Sequence, residues 1–372
     1  MKYFLSMVLI LVLVACSLPA AGTKPTHEAD LKKSDAEEIN SGDLPASAAD
    51  SSPVDSGAIT FVINVHDWVN SEDSAATLLR LVDIFEKYIV RGDFYFTAEV
   101  VEAYVRQHPE VIARLKDSHM TISYHVRPPH PLYTGFDNRL KGLDDAALYH
   151  TLMDYETYAL DLTTGELDRS RPGGYLYVAQ VFGTKPVAAA APNVDRRIKA
   201  TAQRVYAALG AGVTILYHEE GTDLDRPFVY SNGLLIRPSD FSITRVPGSD
   251  NFWWNFMSSS RAAEYDPVRL LQSELAGWQA DRPPLITALI HENNFYRFGP
   301  ESWTPFYFKD GDKSVPLAPP YNLNAPDISK PRTKSDQEAI WSAYGRLVAF
   351  AAAHLKVVTS ADLLLMAKGE IQ

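Results

Sequence analysis

From Ile59 onward the chain alternates short, almost unbroken apolar runs with longer stretches whose apolar residues recur every three or four positions. Ile59-Thr60-Phe61-Val62-Ile63-Asn64-Val65 is β-rich and nearly all apolar, the pattern of a strand buried on both faces. The stretch from about Asp73 to Tyr88 offers Leu78, Leu79, Leu81, Val82, Ile84 and Phe85 for the inner side of a helix. Strands over Asp93–Thr97 and Met120–His125 flank a helix running through Val100, Tyr104 and Ile112 to Leu115. Further strands are expected at Thr214–Tyr217, Leu285–His291 and Val357–Thr359, with helices near 145–162, 194–209, 266–280 and 334–354. This order predicts the α/β class, a parallel sheet with helices outside. Residues 58–372 contain no repeat and no second linker, so a closed or partly open (β/α) barrel suits them better than two domains. The Pro-rich stretches near 300–332 read as loops decorating one end.

The first 57 residues follow a different pattern. Lys2 precedes a largely apolar run from Phe4 to Ala15 that ends Leu13-Val14-Ala15-Cys16. A positive start, about a dozen apolar residues and small residues at the end describe an export signal, 1–15. The run is shorter than the roughly 20 residues a membrane-spanning helix needs. Leu-x-Ala-Cys resembles the bacterial lipoprotein signal, which implies that Cys16 is lipid-modified and anchors the chain to a membrane of the cell envelope, outside the cytoplasm. From Ser17 to Gly57 there is no Phe, Tyr or Trp, and eight acidic residues face three lysines. Such a segment buries too little apolar surface to offset its ordering entropy, so 16–57 is expected to be a disordered tether.

Charge and cysteine count then narrow the chemistry. The 372 residues carry Lys+Arg 35 against Asp+Glu 46, so no basic surplus exists to neutralise phosphates and a nucleic-acid partner is not expected. The tether holds −5 of the formal −11, which leaves the rest mildly acidic. With one cysteine there is neither a disulfide framework nor a multi-cysteine zinc site, so a bound metal must take His, Asp and Glu.

Four segments combine such residues, three of them at strand ends, where functional groups of parallel barrels collect. They are His66-Asp67-Trp68 after the first strand, His125 through His130 after the third, Arg171-Pro172-Gly173-Gly174-Tyr175, and His291-Glu292 closing a late strand. Asp67, His125 and His130 offer one oxygen and two nitrogens, a set suited to Zn²⁺ with a position left open for water. His and Asp after strands serve equally as caps and loop residues.

The run Asp93-Phe94-Tyr95-Phe96-Thr97-Ala98-Glu99-Val100-Val101, then Pro109-Glu110-Val111 with Leu115, then Ile122-Ser123-Tyr124-His125, resembles the polysaccharide deacetylase family (NodB-like, carbohydrate esterase family four). The resemblance covers 58–131, reappears at His291 and at 357–363, and is thin between 132 and 284. It implies a distorted (β/α) barrel that uses a divalent metal, most often zinc, to hydrolyse N- or O-linked acetyl groups on a polysaccharide. It also implies Asp67, His125 and His130 as metal ligands and His291 as the general acid. Arg171, with Gly173 and Tyr175, would brace the site and contribute to an oxyanion pocket. Where the family places an aspartate base this chain has His66, and four residues rather than three separate its two metal histidines. The aspartate that would orient His291 is not identifiable in the sequence, with Asp223, Asp225 and Asp250 as candidates. The leading expectation is a lipid-anchored, metal-dependent carbohydrate deacetylase. Two others stand beside it, a deacetylase-like binder of polysaccharide without turnover and a glycoside hydrolase on a related barrel.

Of the remaining groups, Trp68 is expected to wall the pocket. Phe252-Trp253-Trp254 and Phe295-Tyr296 are either core or sugar-stacking surfaces. Glu219 and Glu220 read as loop carboxylates, Glu292 as a solvated strand-end residue or replacement base, and His218 as a strand-end residue more readily than as one that approaches the site.

Overall fold

The computed structural model describes residues 57–215, 228–242, 266–279 and 281–371. Expectations attached to Cys16, the tether, His218, Glu219, Glu220, Asp223, Asp225, Asp250 and 252–254 lie outside those residues.

Fourteen strands are present among the described residues: β1 Ala58–Val65, β2 Asp93–Phe96, β3 Thr121–His125, β4 Tyr158–Leu160, β5 Leu167–Pro172, β6 Ala188–Ala190, β7 Val213–Ile215, β8 Val229–Ser231, β9 Leu234–Ile236, β10 Phe241–Ser242, β11 Leu285–His291, β12 Arg297–Phe298, β13 Lys330–Pro331 and β14 Lys356–Val357. The main sheet runs β10-β11-β1-β2-β3-β6-β7-β9-β8, with β14 also paired to β1. Every pairing in it is parallel except β8 with β9. The fold is therefore α/β, a curled and incompletely closed (β/α) barrel.

All eight residues of β1 are buried, as an apolar central strand requires. Alternation along the strands divides the core in two. Val62, Tyr95, Ala190, Ile215, Leu235 and Leu289 fill the barrel interior, while Phe61, Ile63, Phe94, Phe96 and Tyr124 meet the surrounding helices. Inside the barrel Asp93 accepts from Ser123 Oγ at 2.6 Å and from the Ser360 backbone N–H at 3.0 Å, tying β2, β3 and the helix Ser360–Ala367 together.

Most expected elements form within a residue or two. Helices occupy Ser71–Lys87, Arg196–Leu209, Pro267–Gly277 and Lys334–His354. The single helix expected through Val100 and Ile112 is two, Ala98–Gln107 and Pro109–Asp117. Proline has no N–H to donate and disfavours helical geometry in the residue before it, so the chain breaks at His108. The helix expected over 145–162 stops at Tyr155 and gives way to the β4–β5 hairpin. Its turn is local chemistry: Asp161 Oδ1 accepts from the Thr163 and Thr164 N–H groups, and Gly165 adopts φ +71°. The helix Gly174–Phe182 and strands β6, β8, β9 and β10 had no clear period in the sequence.

The Phe61 side chain is fully buried and meets the Phe85 and Tyr344 rings at 5.5 and 6.0 Å. Phe61→Ala is expected to cost about 3–5 kcal/mol in urea unfolding. Val105→Ala, at a 45% exposed position, should cost less than about 0.5 kcal/mol.

Candidate metal and catalytic site

His66 continues the inward-facing series Val62, Asn64, and His125 and His291 end inward-facing series on β3 and β11. Register brings them level: Asn64 pairs with His291, and the Val65–Phe96 and Phe96–Tyr124 pairs bring the residues after them, His66 and His125, to the same height. All three rings are buried. The His66 ring centroid lies 4.8 Å from that of His291 and 5.7 Å from that of His125.

Glu301, from the loop after β12, joins them. His66 Nε2 and His291 Nδ1 are 3.2 Å apart, and Glu301 Oε1 lies 3.9 and 3.7 Å from these two atoms. Among the described residues this is the one group of three or more His, Cys, Asp or Glu side chains that brings its ligand atoms this close. A tetrahedral ion with bonds of about 2.0–2.1 Å separates its ligands by about 3.3 Å, so the spacing suits a divalent metal, and His₂Glu is a zinc-type donor set. The group can hold a divalent metal.

One hydrogen bond constrains how it would do so. Trp303 Nε1–H donates to His66 Nδ1 at 3.0 Å. Indole only donates, so His66 Nδ1 carries a lone pair and its proton resides on Nε2, facing His291. Were Nε2 to hold a metal, the ring proton would sit on Nδ1, where the indole N–H would find no acceptor. Lys313 pairs with Glu301 Oε2 at 2.5 Å and lies 5.1 Å from the Trp303 ring. Burial and the Arg127 guanidinium hold His66, His125 and His291 well below the ordinary imidazole pKa, so all three are neutral at pH 7. The Val65 and Val126 backbone groups face the His125 ring and oppose part of that lowering.

The expected ligand trio does not meet at one point. Asp67 is one residue out of phase with the inward series, and its carboxylate is taken by other donors. Oδ1 accepts from Ser302 Oγ at 2.5 Å and from the Asn70 N–H, while Oδ2 accepts from the Tyr296 hydroxyl at 2.9 Å. His130 accepts the Leu132 N–H on Nδ1, which leaves the proton on Nε2, 3.4 Å from Glu156 Oε1. Glu156 accepts from the Tyr206 hydroxyl and the Tyr175 backbone N–H.

The Arg171 segment also lies elsewhere. Arg171 is half exposed and pairs with Glu102 at 3.4 Å and Asp168 at 3.1 Å. It rims a lateral cavity of about 190 Å³, shared with Glu99, His130, Tyr155, Gly173 and Tyr177. Gly173 packs so tightly on the Tyr158–Ala159 backbone that a Cβ would overlap it. Tyr175 is buried, and its hydroxyl donates to the Pro186 carbonyl at 2.7 Å. Trp68 is half buried against Phe306, rings 5.3 Å apart. Phe295 stacks on Trp341 at 3.9 Å inside the core, and Tyr296 is buried on Asp67, so neither is a sugar platform. Glu292 is fully buried rather than solvated. Its Oε1 accepts the His66 and Asp67 N–H groups at 2.6 and 2.5 Å.

Sequence reasoning missed Glu301, Trp303, Lys313 and Glu156. The first three sit in a Pro-rich loop more than 230 residues after His66, and nothing local marks them.

With the geometry described, comparison with known proteins adds the following. No family model matches the chain, and no curated protein matches it. Solved structures are similar in fold. One is a protein from Mycobacterium smegmatis named as a polysaccharide deacetylase, at 14% identity and TM-score 0.46, covering 86% of this chain and 93% of that one. Another is a CE4 family pseudoenzyme from Bacillus anthracis, at 12% identity and TM-score 0.37, covering 85% and 70%. A third is the peptidoglycan deacetylase PdaC from Bacillus subtilis, at 12% identity and TM-score 0.38, covering 86% and 95%.

The tautomer is directly observable. In metal-free protein, nitrogen-15 correlation spectra should show His66 as the Nε2–H form, and Trp303→Phe should convert it to a mixture. An Nδ1–H form in the wild type would contradict the arrangement.

The His130–Glu156 pair makes a pH prediction. Burial pushes Glu156 up from its ordinary 4.5 to about 7 and His130 down from 6.5 to about 3. From pH 4.5 to 7 the native Glu156 holds a proton that the unfolded chain has lost, so this residue lowers stability as pH rises. His130 acts oppositely from pH 3 to 6.5 and cancels the effect where the windows overlap. Glu156→Gln removes one side. The wild-type minus variant unfolding free energy should therefore fall with pH between 4.5 and 7, by up to about 1.4 kcal/mol per pH unit.

Proposed function

We propose that the protein is a carbohydrate deacetylase that uses a divalent metal, most simply zinc, to remove N- or O-linked acetyl groups from an envelope or extracellular polysaccharide. The observation that carries this reading is the convergence of His66, His291 and Glu301 at the mouth of the barrel, beside the buried His125. The sequence resemblance at 58–131 and His291 supports the same reading.

His66 Nε2, His291 Nδ1 and Glu301 Oε1 would hold the metal. When bound, it would polarise the acetyl carbonyl and acidify an attacking water. His125 has a neutral, buried ring beside that of His66. It is the group placed to take the proton from that water and return it to the departing amine or alkoxide as the C–N or C–O bond breaks. Glu292 and Asp67 position the loop that carries His66, the first by accepting its N–H and the second by binding Tyr296 and Ser302. The roles expected of His66 as base and His291 as acid thus pass to metal binding, and proton transfer falls to His125.

One observation favours a second reading, a polysaccharide binder without turnover. The Asp67 carboxylate is saturated and the Glu301 carboxylate is paired with Lys313, so neither of these two stands free as a base.

Elemental analysis of purified protein should find about one metal per chain, lost in Glu301→Gln and His291→Ala and kept in His125→Gln. The last variant should lower acetate release from acetylated glycans by about 10²–10⁴-fold. A wild type without stoichiometric metal overturns the metal site, and metal-loaded protein that releases no acetate from any acetylated glycan establishes the binder.

No helix among the described residues is long and apolar enough to cross a membrane. We further propose attachment through a lipid on Cys16, with 16–57 as tether. Cys16→Ser should move the protein from the membrane fraction to the soluble fraction, and retention in membranes would rule out the anchor.

A further inference from the structure

Resting on the reading of the barrel mouth as a polysaccharide site, we propose that it accepts a glycan bearing a carboxylate, a uronic-acid-containing polymer, whose carboxylate is bound by Arg237 and Arg127.

Arg237 had no motif to mark it. It follows β9, where Leu235 fills the barrel interior and Leu234 faces the helices, so Arg237 falls on the inward face. Its N–H donates to the Thr214 carbonyl at 2.8 Å, which continues the β7–β9 ladder by one residue. The register His125–Ala190 and Ala190–Ile215 then brings Arg237 level with His125 across the curled sheet. The side chain is 7% exposed, and its Nε and Nη1 have no partner. Arg127, two residues after His125, likewise has a buried, unpartnered Nε, and its charge reaches all three histidines of the mouth.

A buried guanidinium without an acceptor is costly, and its natural complement is a carboxylate. Of the acids nearby, Asp93 feels the charge of Arg237 and Glu292 Oε2 has no hydrogen-bond partner, yet the hydrogen bonds these acids make run to other groups. Asp93 accepts from Ser123 and Ser360. Asp67 accepts from Asn70, Ser302 and Tyr296. Glu301 Oε2 accepts from Lys313, and Glu292 Oε1 from two backbone N–H groups. None bonds to either arginine. The acceptor these donors lack is supplied by the ligand, and a carboxylated sugar supplies it where a neutral one does not.

The test compares a deacetylated oligouronate with its methyl ester by calorimetry, which needs no turnover. The wild type should bind the acid at least about tenfold more tightly, as expected for hydrogen bonds to a charged group. Arg237→Gln and Arg127→Gln should each collapse that ratio towards one, and Arg237→Lys should keep part of it. Equal affinity for acid and ester overturns the inference. So does a folded Arg237→Gln that keeps the full ratio, since its role is then structural. Acetate release from O-acetylated polyuronate and its methyl ester separates the two claims. Discriminating binding without release from any glycan removes the deacetylase and leaves the carboxylate site, while equal release from both forms does the reverse.

Discussion

Glu292 Oε1 holds the barrel mouth together. It accepts the backbone N–H groups of His66 and Asp67 at 2.6 and 2.5 Å and so ties the exit of β1 to the exit of β11. Two buried donors that leave a strand with no sheet partner are satisfied by one buried acceptor, and the bend they make turns His66 towards His291. Without it the N–H groups would be desolvated and unpaired, at a cost of about 1–3 kcal/mol each. Burial and the Asp67 charge push Glu292 up to about 8, a measure of how far this carboxyl is removed from water.

Around that bend the polar groups form two separate systems. Towards the barrel axis lie three neutral imidazoles, Glu301 with Lys313, and arginine donors without acceptors. Away from the axis, on the helix side of β3, His130 faces Glu156 beneath Tyr124, Tyr175 and Tyr206. The division follows from strand alternation. His125 points inward, Tyr124 outward, and the loop between them and Leu132 delivers His130 to the outward side. A pair of histidines five residues apart therefore serves two environments.

The loop after β12 completes the mouth. Trp303, Phe306, Tyr307, Phe308 and Tyr321 form a small apolar cluster of their own. That packing holds the loop in place over the strand ends, so that Glu301, Ser302 and Trp303 reach Glu301–His66, Ser302–Asp67 and Trp303–His66 contacts at once. The Pro-rich composition that marked this stretch as irregular was correct, but irregular backbone with an aromatic core is a rigid platform rather than a decoration.

Period and turn chemistry in the chain were enough for the α/β class, for the buried strands at 59–65, 93–96, 121–125 and 285–291, and for the placement of His66, His125 and His291 at strand ends. These depend on residues within a few positions of one another. Local pattern likewise explains the break at Pro109 and, in hindsight, the Asp161–Gly165 turn that ends the expected helix early. Which polar groups meet was not decided there. His66 sits beside His291 and Glu301, rather than Asp67 beside His130, because the parallel register of β1 with β11 and the return of a loop some 235 residues later bring them together. Contacts of that span leave no periodic trace in the chain, since their geometry exists only once the sheet has curled and its interior has filled.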